Sequence, residues 1–126
     1  MATNKEVVRV LKKALKLMNK NGAHWLQNCY TDEHGPDGEF RYCSVGAVNS
    51  AVGLYEQYSP ELHEKLVELR TKAVDALAHG LPAPPYKGLE DWTAVEKVTI
   101  WNDSERRRWP DVVKRFTRAI ERLEGK

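Results

Sequence analysis

Cys43 stands where a turn-rich segment gives way to Ser44, Val45, Gly46 and Ala47, small and apolar residues that begin a helix. A thiol there lies beside unsatisfied backbone N–H groups and the positive end of a helix dipole, both of which favour thiolate. This makes Cys43 the candidate nucleophile, with His24 or His34 as base and Asn102 or Asp103 as the group that orients the imidazole. No spacing fixes a base beside the thiol. The competing reading is a small hydrophobe packed under the helix start, the commoner fate of a free cysteine.

His24, Cys29, His34 and Cys43 also supply two imidazoles and two thiols in one stretch. Their spacing departs from the short ligand pairs of zinc sites, and no metal or cofactor is expected. The run Arg106-Arg107-Arg108, followed by Lys114, Arg115, Arg118 and Arg122, is the one local concentration of charge, and Trp109 inside it could stack on a base. Eight basic residues meet five acidic ones between positions 101 and 126, so the excess is modest. Four tryptophans, Trp25, Trp92, Trp101 and Trp109, are many for 126 residues. Most belong in or near the core, and an exposed one is a contact candidate.

The elements that position these groups follow from periodicity and punctuation. Thr3-Asn4-Lys5-Glu6 has the form of a capping box, and Val7, Val8, Leu11, Ala14, Leu15 and Met18 recur at helical spacing until Asn21-Gly22. Lys5, Arg9, Lys12, Lys13 and Lys16 give that helix a solvated basic face. Gly35-Pro36-Asp37-Gly38 should fold residues 29–34 back on 39–44 as a hairpin. A three-residue loop sets Glu33 opposite Arg41 and Thr31 opposite Cys43, whereas a two-residue turn sets Asp32 opposite Arg41. Either register brings Cys29 diagonally near Cys43, close enough for a disulfide that a reducing compartment disfavours.

A second helix is read from about Ser44 to Tyr58, and its small residues Gly46, Ala47, Ser50, Ala51 and Gly53 would let another backbone approach closely. Ser59-Pro60-Glu61 opens a third, with Leu62, Leu66, Leu69, Ala73 and Leu77 as its apolar stripe and His79-Gly80 as its end. His63 and His79 fall on its surface. Leu81-Pro82-Ala83-Pro84-Pro85 is an extended spacer. Residues 89–101 fit a helix through Leu89, Trp92 and Val95, although Val98-Thr99-Ile100-Trp101 also fits a strand. Pro110 opens a last helix that carries Val112, Val113, Phe116, Ala119, Ile120 and Leu123 on one face.

Charged residues are 30% of the chain and hydrophobic residues 41%, the balance of a globular protein and not of a disordered one. A net charge of +2 gives no general attraction to nucleic acid. The chain has no apolar run of the length needed to span a bilayer, and its polar N-terminus lacks the pattern of a signal peptide, so a cytoplasmic location is expected.

Trp25-x-Gln27, Cys43-Ser44-x-Gly46-Ala47 with Ala51, Trp101-Asn102-Asp103 and the closing Val112-Val113 occur in an order that resembles a family of small uncharacterised proteins from actinobacteria and their phages. The resemblance runs from the first helix to the last and departs at Trp109, where a helix-capping threonine is more typical. It implies no reaction. It does point to Trp25, Gln27, Cys43, Trp101 and Asn102 as the residues to watch for binding, to which Trp109 is added as an aromatic among arginines.

The expected fold is mainly α, a compact bundle of four to five helices with one β-hairpin near residues 29–44, in a single domain over 1–126. The expected function is binding to a protein partner, in the manner of a phage protein acting on a host protein. The alternatives are a cysteine-dependent hydrolase or transferase using Cys43, and nucleic-acid binding through the basic C-terminal helix. Trp101-Asn102-Asp103 is by default a structural bracket, in which polar side chains fix a turn and the indole anchors it.

Overall fold

The computed structural model describes residues 2–19, 22–32, 40–54, 59–82 and 93–126. His34, Glu33, the Gly35–Gly38 turn, Pro84, Pro85, Leu89 and Trp92 lie outside the described residues. Five helices and one small antiparallel sheet occur in the order α1 (Asn4–Met18), β1 (Thr31–Asp32), β2 (Arg41–Tyr42), α2 (Ser44–Val52), α3 (Pro60–Ala78), α4 (Ala94–Asp103) and α5 (Trp109–Leu123). This is the mainly helical bundle with a hairpin that the sequence implies. No helix among the described residues is long and apolar enough to cross a membrane.

Each helix starts on a local signal. The Thr3 hydroxyl accepts from the Glu6 N–H and opens α1, and the Ser59 hydroxyl accepts from the Leu62 N–H ahead of Pro60 and opens α3. Thr93 opens α4 with a full capping box: its hydroxyl accepts from the Glu96 N–H at 3.1 Å while its own N–H donates to the Glu96 carboxylate at 3.2 Å. Residues 94–103 are therefore helix, which settles the choice between helix and strand for Val98–Trp101. At α5 the side chain that compensates the loose N–H is Asp111, whose Oδ2 accepts from the Arg108 N–H at 2.9 Å.

Two helices differ from their expected extents. α2 ends at Val52, well before Tyr58, because Gly53 turns left-handed (φ 89°). The Gly53 N–H returns to the Ser50 carbonyl and the Leu54 N–H to the Asn49 carbonyl, a Schellman closure that only glycine enters without strain. In α3 the fully buried residues are Ala73, Val74, Ala76 and Leu77, Leu66 and Leu69 are half-buried against the core, and Leu62 is exposed. Leu62, Leu66 and Leu69 also line a groove shared with Ala2 and Glu6.

The core is built where α1, α2, α3 and α5 meet, from Leu11, Ala14 and Met18, Val45, Ala47 and Val48, Val74 and Leu77, and Val112 and Phe116, with Val98 of α4 against them. α2 is the innermost element, every residue from Ser44 to Val48 being buried, and α1 packs along it. The sheet register sets Thr31 opposite Tyr42 and Asp32 opposite Arg41, the arrangement expected of the shorter turn, and Arg41 and Asp32 form an ion pair. β2 is held on its other side as well, since the Leu26 N–H donates to the Tyr42 carbonyl and the Tyr42 N–H to the His24 carbonyl, both at 2.8 Å.

Candidate functional site

Three separated motifs meet at one buried side chain. Asn102, in the last turn of α4, has no solvent exposure. Its Oδ1 accepts from Trp25 Nε1 at 2.8 Å, from the Ser44 hydroxyl at 2.7 Å and from the Ser44 N–H at 3.0 Å. Its Nδ2 donates to the Leu26 carbonyl at 2.9 Å and to Asp103 Oδ1 at 3.0 Å. The indole and the peptide N–H are donors only, and the Leu26 carbonyl accepts only, so the amide has one orientation. A buried amide with every site occupied fixes its neighbours instead of costing stability.

The surrounding bonds extend the same bracket. Gln27 Nε2 donates to the carbonyls of Asn102 and Ser104, each at 2.8 Å, and so caps the loose C-terminal end of α4. Arg107 Nε serves the Trp101 carbonyl at 2.8 Å. Asp103 Oδ1 accepts from the Asn28 N–H at 2.8 Å, which holds Asn28 at a positive φ of 68° that asparagine tolerates better than most residues. Trp109 tilts against Trp25 with ring centroids 6.4 Å apart and lies so close over Gly22 that a Cβ there would meet its ring at 2.7 Å.

Beside the bracket lies a cleft of about 280 Å³ walled by Asn28, Cys29, Tyr30, Cys43, Thr99 and Asp103. Its two sides touch at Gly46, where an added Cβ would sit 1.8 Å from the Tyr30 carbonyl oxygen. The close approach expected at the small residues of α2 is thus made by the backbone of Tyr30, at the hairpin edge, as well as by helix α1. The Cys43 N–H completes the junction by donating to that same carbonyl at 3.2 Å. Thr99 Oγ1 is buried at the cleft wall with no hydrogen-bond partner among the described residues.

Cys43 is the N-cap of α2, its Sγ accepting from the Gly46 N–H at 3.3 Å. The expectation that this position would favour thiolate is overturned. The residue is only 2% exposed, and burial pushes the thiol up to about 11, outweighing the Gly46 and Val45 N–H groups that pull it down, with the Asp103 carboxylate adding to the rise. Both cysteines are free thiols, and Cys29, exposed, donates to the Thr31 carbonyl. Asn102 and Asp103, assigned to orient an imidazole, hold Trp25, Ser44, Leu26 and Asn28 instead. His24 contributes its carbonyl to the Tyr42 N–H, and among the described residues no imidazole lines the cleft.

The chain matches the model of a family of unknown function, DUF6197, over residues 2–122. It belongs to DUF6197. No curated protein and no solved structure matches it. DUF6197 membership carries no activity, so the site of this DUF6197 chain is read from its own geometry. Of the residues singled out for binding, Trp25, Gln27, Cys43 and Asn102 converge on one junction, while Trp109 covers Trp25 and Trp101 faces Arg107 and Arg115 on the other side of α4. The reading of the sequence missed Ser44, Tyr30 and Thr99. Ser44 beside Cys43 carried a signal, being a hydroxyl at the start of a helix otherwise apolar.

Proposed function

We propose that this protein is a non-catalytic binding protein that receives a side chain of a protein partner in the cleft between Cys29 and Cys43. The observation that carries this is the use made of the motif residues. Asn102, Asp103, Gln27 and Trp25 direct their polar atoms into the fold, where they hold Asn28 and the start of α2 as two fixed cleft walls. A cleft formed before binding loses little freedom when it is filled. Tyr30 and Phe40, 47% and 50% exposed, are the most exposed large apolar residues among those described, and both belong to the hairpin segment beside the cleft. Aromatic residues at such positions supply contact area with few torsions to freeze. The setting proposed with this reading is a bacterial cytoplasm, that of an actinobacterial host where the chain is phage-encoded, with residues 1–126 acting as one domain.

A photo-crosslinking residue placed at Phe40 in a host lysate should capture one defined protein, and Tyr30→Ala should abolish capture while leaving the melting temperature within about 2 °C. Capture of no defined protein, or capture indifferent to Tyr30→Ala, would overturn the reading.

A further inference from the structure

On the side of α4 away from Cys43, a pocket of about 130 Å³ is lined by Trp101, Arg107, Asp111, Lys114, Arg115 and Arg118. Two of its guanidinium groups converge on one ring, Arg107 at 4.3 Å and Arg115 at 5.6 Å from the Trp101 centroid. Each is anchored from behind. Arg107 uses Nε on the Trp101 carbonyl, and Arg115 uses Nη1 on the His79 carbonyl at 2.9 Å and the Leu77 carbonyl at 3.4 Å.

These anchors fix where the charges sit without neutralising them. Carbonyls are not counter-ions, and among the described residues none of the four cations forms a salt bridge. Among the described residues the lining has one acid, Asp111, which accepts from the Arg108 N–H and keeps its charge, so four cations stand against one carboxylate. Burial first, and then the neighbouring Arg118, Arg107 and Arg122, pull the Arg115 guanidinium below its ordinary range. Like charges held this close repel, and an anion among them removes the repulsion and gains charge-assisted hydrogen bonds.

We propose that this pocket is a binding site for a small phosphate-bearing anion. Planar guanidinium groups fixed at their inner edge present their remaining N–H groups as forks, the geometry that suits a tetrahedral oxyanion. Arg107 and Arg115 lie against the Trp101 ring, which therefore serves as their platform and not as a stacking surface for a base. The pocket's small volume and the chain's net charge of +2 favour a single phosphate group over a nucleic-acid backbone.

The test is calorimetric titration of the full chain with inorganic phosphate and with pyrophosphate at low salt, alongside Lys114→Gln/Arg118→Gln. Both of these side chains are exposed and make no structural hydrogen bond, and removing their charges relieves repulsion, so the variant's unliganded melting temperature should not fall below wild type. Submillimolar binding that weakens at least tenfold in the double variant, and not in a charge-matched Lys13→Gln/Lys16→Gln control, is the expected result. No binding of either anion below 10 mM, or equal weakening in both double variants, would overturn the proposal. So would binding only to oligonucleotides with affinity that grows with their length, since that is the behaviour of an extended basic surface.

Discussion

At the scale of single residues, Cys43 shows how two forces on one thiol are ranked. The helix start offers it N–H groups, which stabilise thiolate, while burial removes the water that stabilises thiolate far more. Burial wins, and the thiol titrates at about 11, above the 9.0 of an ordinary cysteine. A group whose folded pKa is raised keeps its proton where the unfolded chain has lost it. Its contribution to stability is therefore complete below about pH 9 and disappears as pH rises through about 11, a loss on the order of 2–3 kcal/mol. Cys43→Ser preserves a cap for the Gly46 N–H and does not titrate, so urea unfolding should show wild type losing more stability than the variant between those pH values. Parallel losses would mean that Cys43 is not buried as a thiol. Iodoacetamide at neutral pH should correspondingly label Cys29 and leave Cys43 untouched until the chain unfolds.

At the scale of elements, the hairpin and α2 meet through an absence of side chain. Gly46→Ala puts a methyl group into the Tyr30 carbonyl, with backbone on both sides and no flexible side chain to yield. The hairpin must then move off the helix and break the Cys43 N–H bond, so destabilisation should exceed 3 kcal/mol by the sum of overpacking and an orphaned buried donor, each worth about 1–3 kcal/mol. Gly80→Ala is the control. Gly80 has φ +81° and nothing within 4 Å of an added Cβ, so only the left-handed strain of about 1–2 kcal/mol applies. Similar melting temperatures for the two variants would refute the tight junction. The elements themselves were largely legible in the sequence, because capping residues and 3.6-residue periodicity act locally, as at Thr3, Ser59 and Pro110. Thr93-x-x-Glu96 was an equally local signal for α4. What was not legible was the exposure of Leu62: a stripe shows which face of a helix is apolar, while the length of the neighbouring helices decides how far along that face the core extends. The candidate site divides the same way. Trp25, Gln27, Cys43 and Asn102 were recognisable as residue types worth placing, but hydrogen bonds between positions more than 50 apart in sequence leave no trace in local spacing.

At the scale of the whole molecule, the Asn102 side chain joins three parts of the chain at one point: the segment from Trp25 to Asn28, the start of α2 and the end of α4. Arg115 and Arg122 of α5 do the same for α3, serving the carbonyls of Leu77, His79 and Ala76. These two arginines therefore commit N–H groups to the end of α3 and are held in place by it, while their charge is not neutralised. The Asn102 junction should behave as one unit, and its chemistry says how. An amide oxygen has two lone pairs, yet Oδ1 here serves three donors, two from Ser44 and one from Trp25. Losing one donor lets the other two tighten, so Trp25→Phe and Ser44→Ala should each cost no more than about 1 kcal/mol. Losing both leaves Oδ1 with the Ser44 N–H alone and removes that compensation. The double variant should then cost at least about 0.5 kcal/mol more than the two singles together, a coupling expected only of residues that share a partner. The phenyl ring that Trp25→Phe introduces would still fill the place against Trp109, so packing changes little across the cycle. Strict additivity in urea unfolding would show that the donors act independently and that the bracket is three separate contacts.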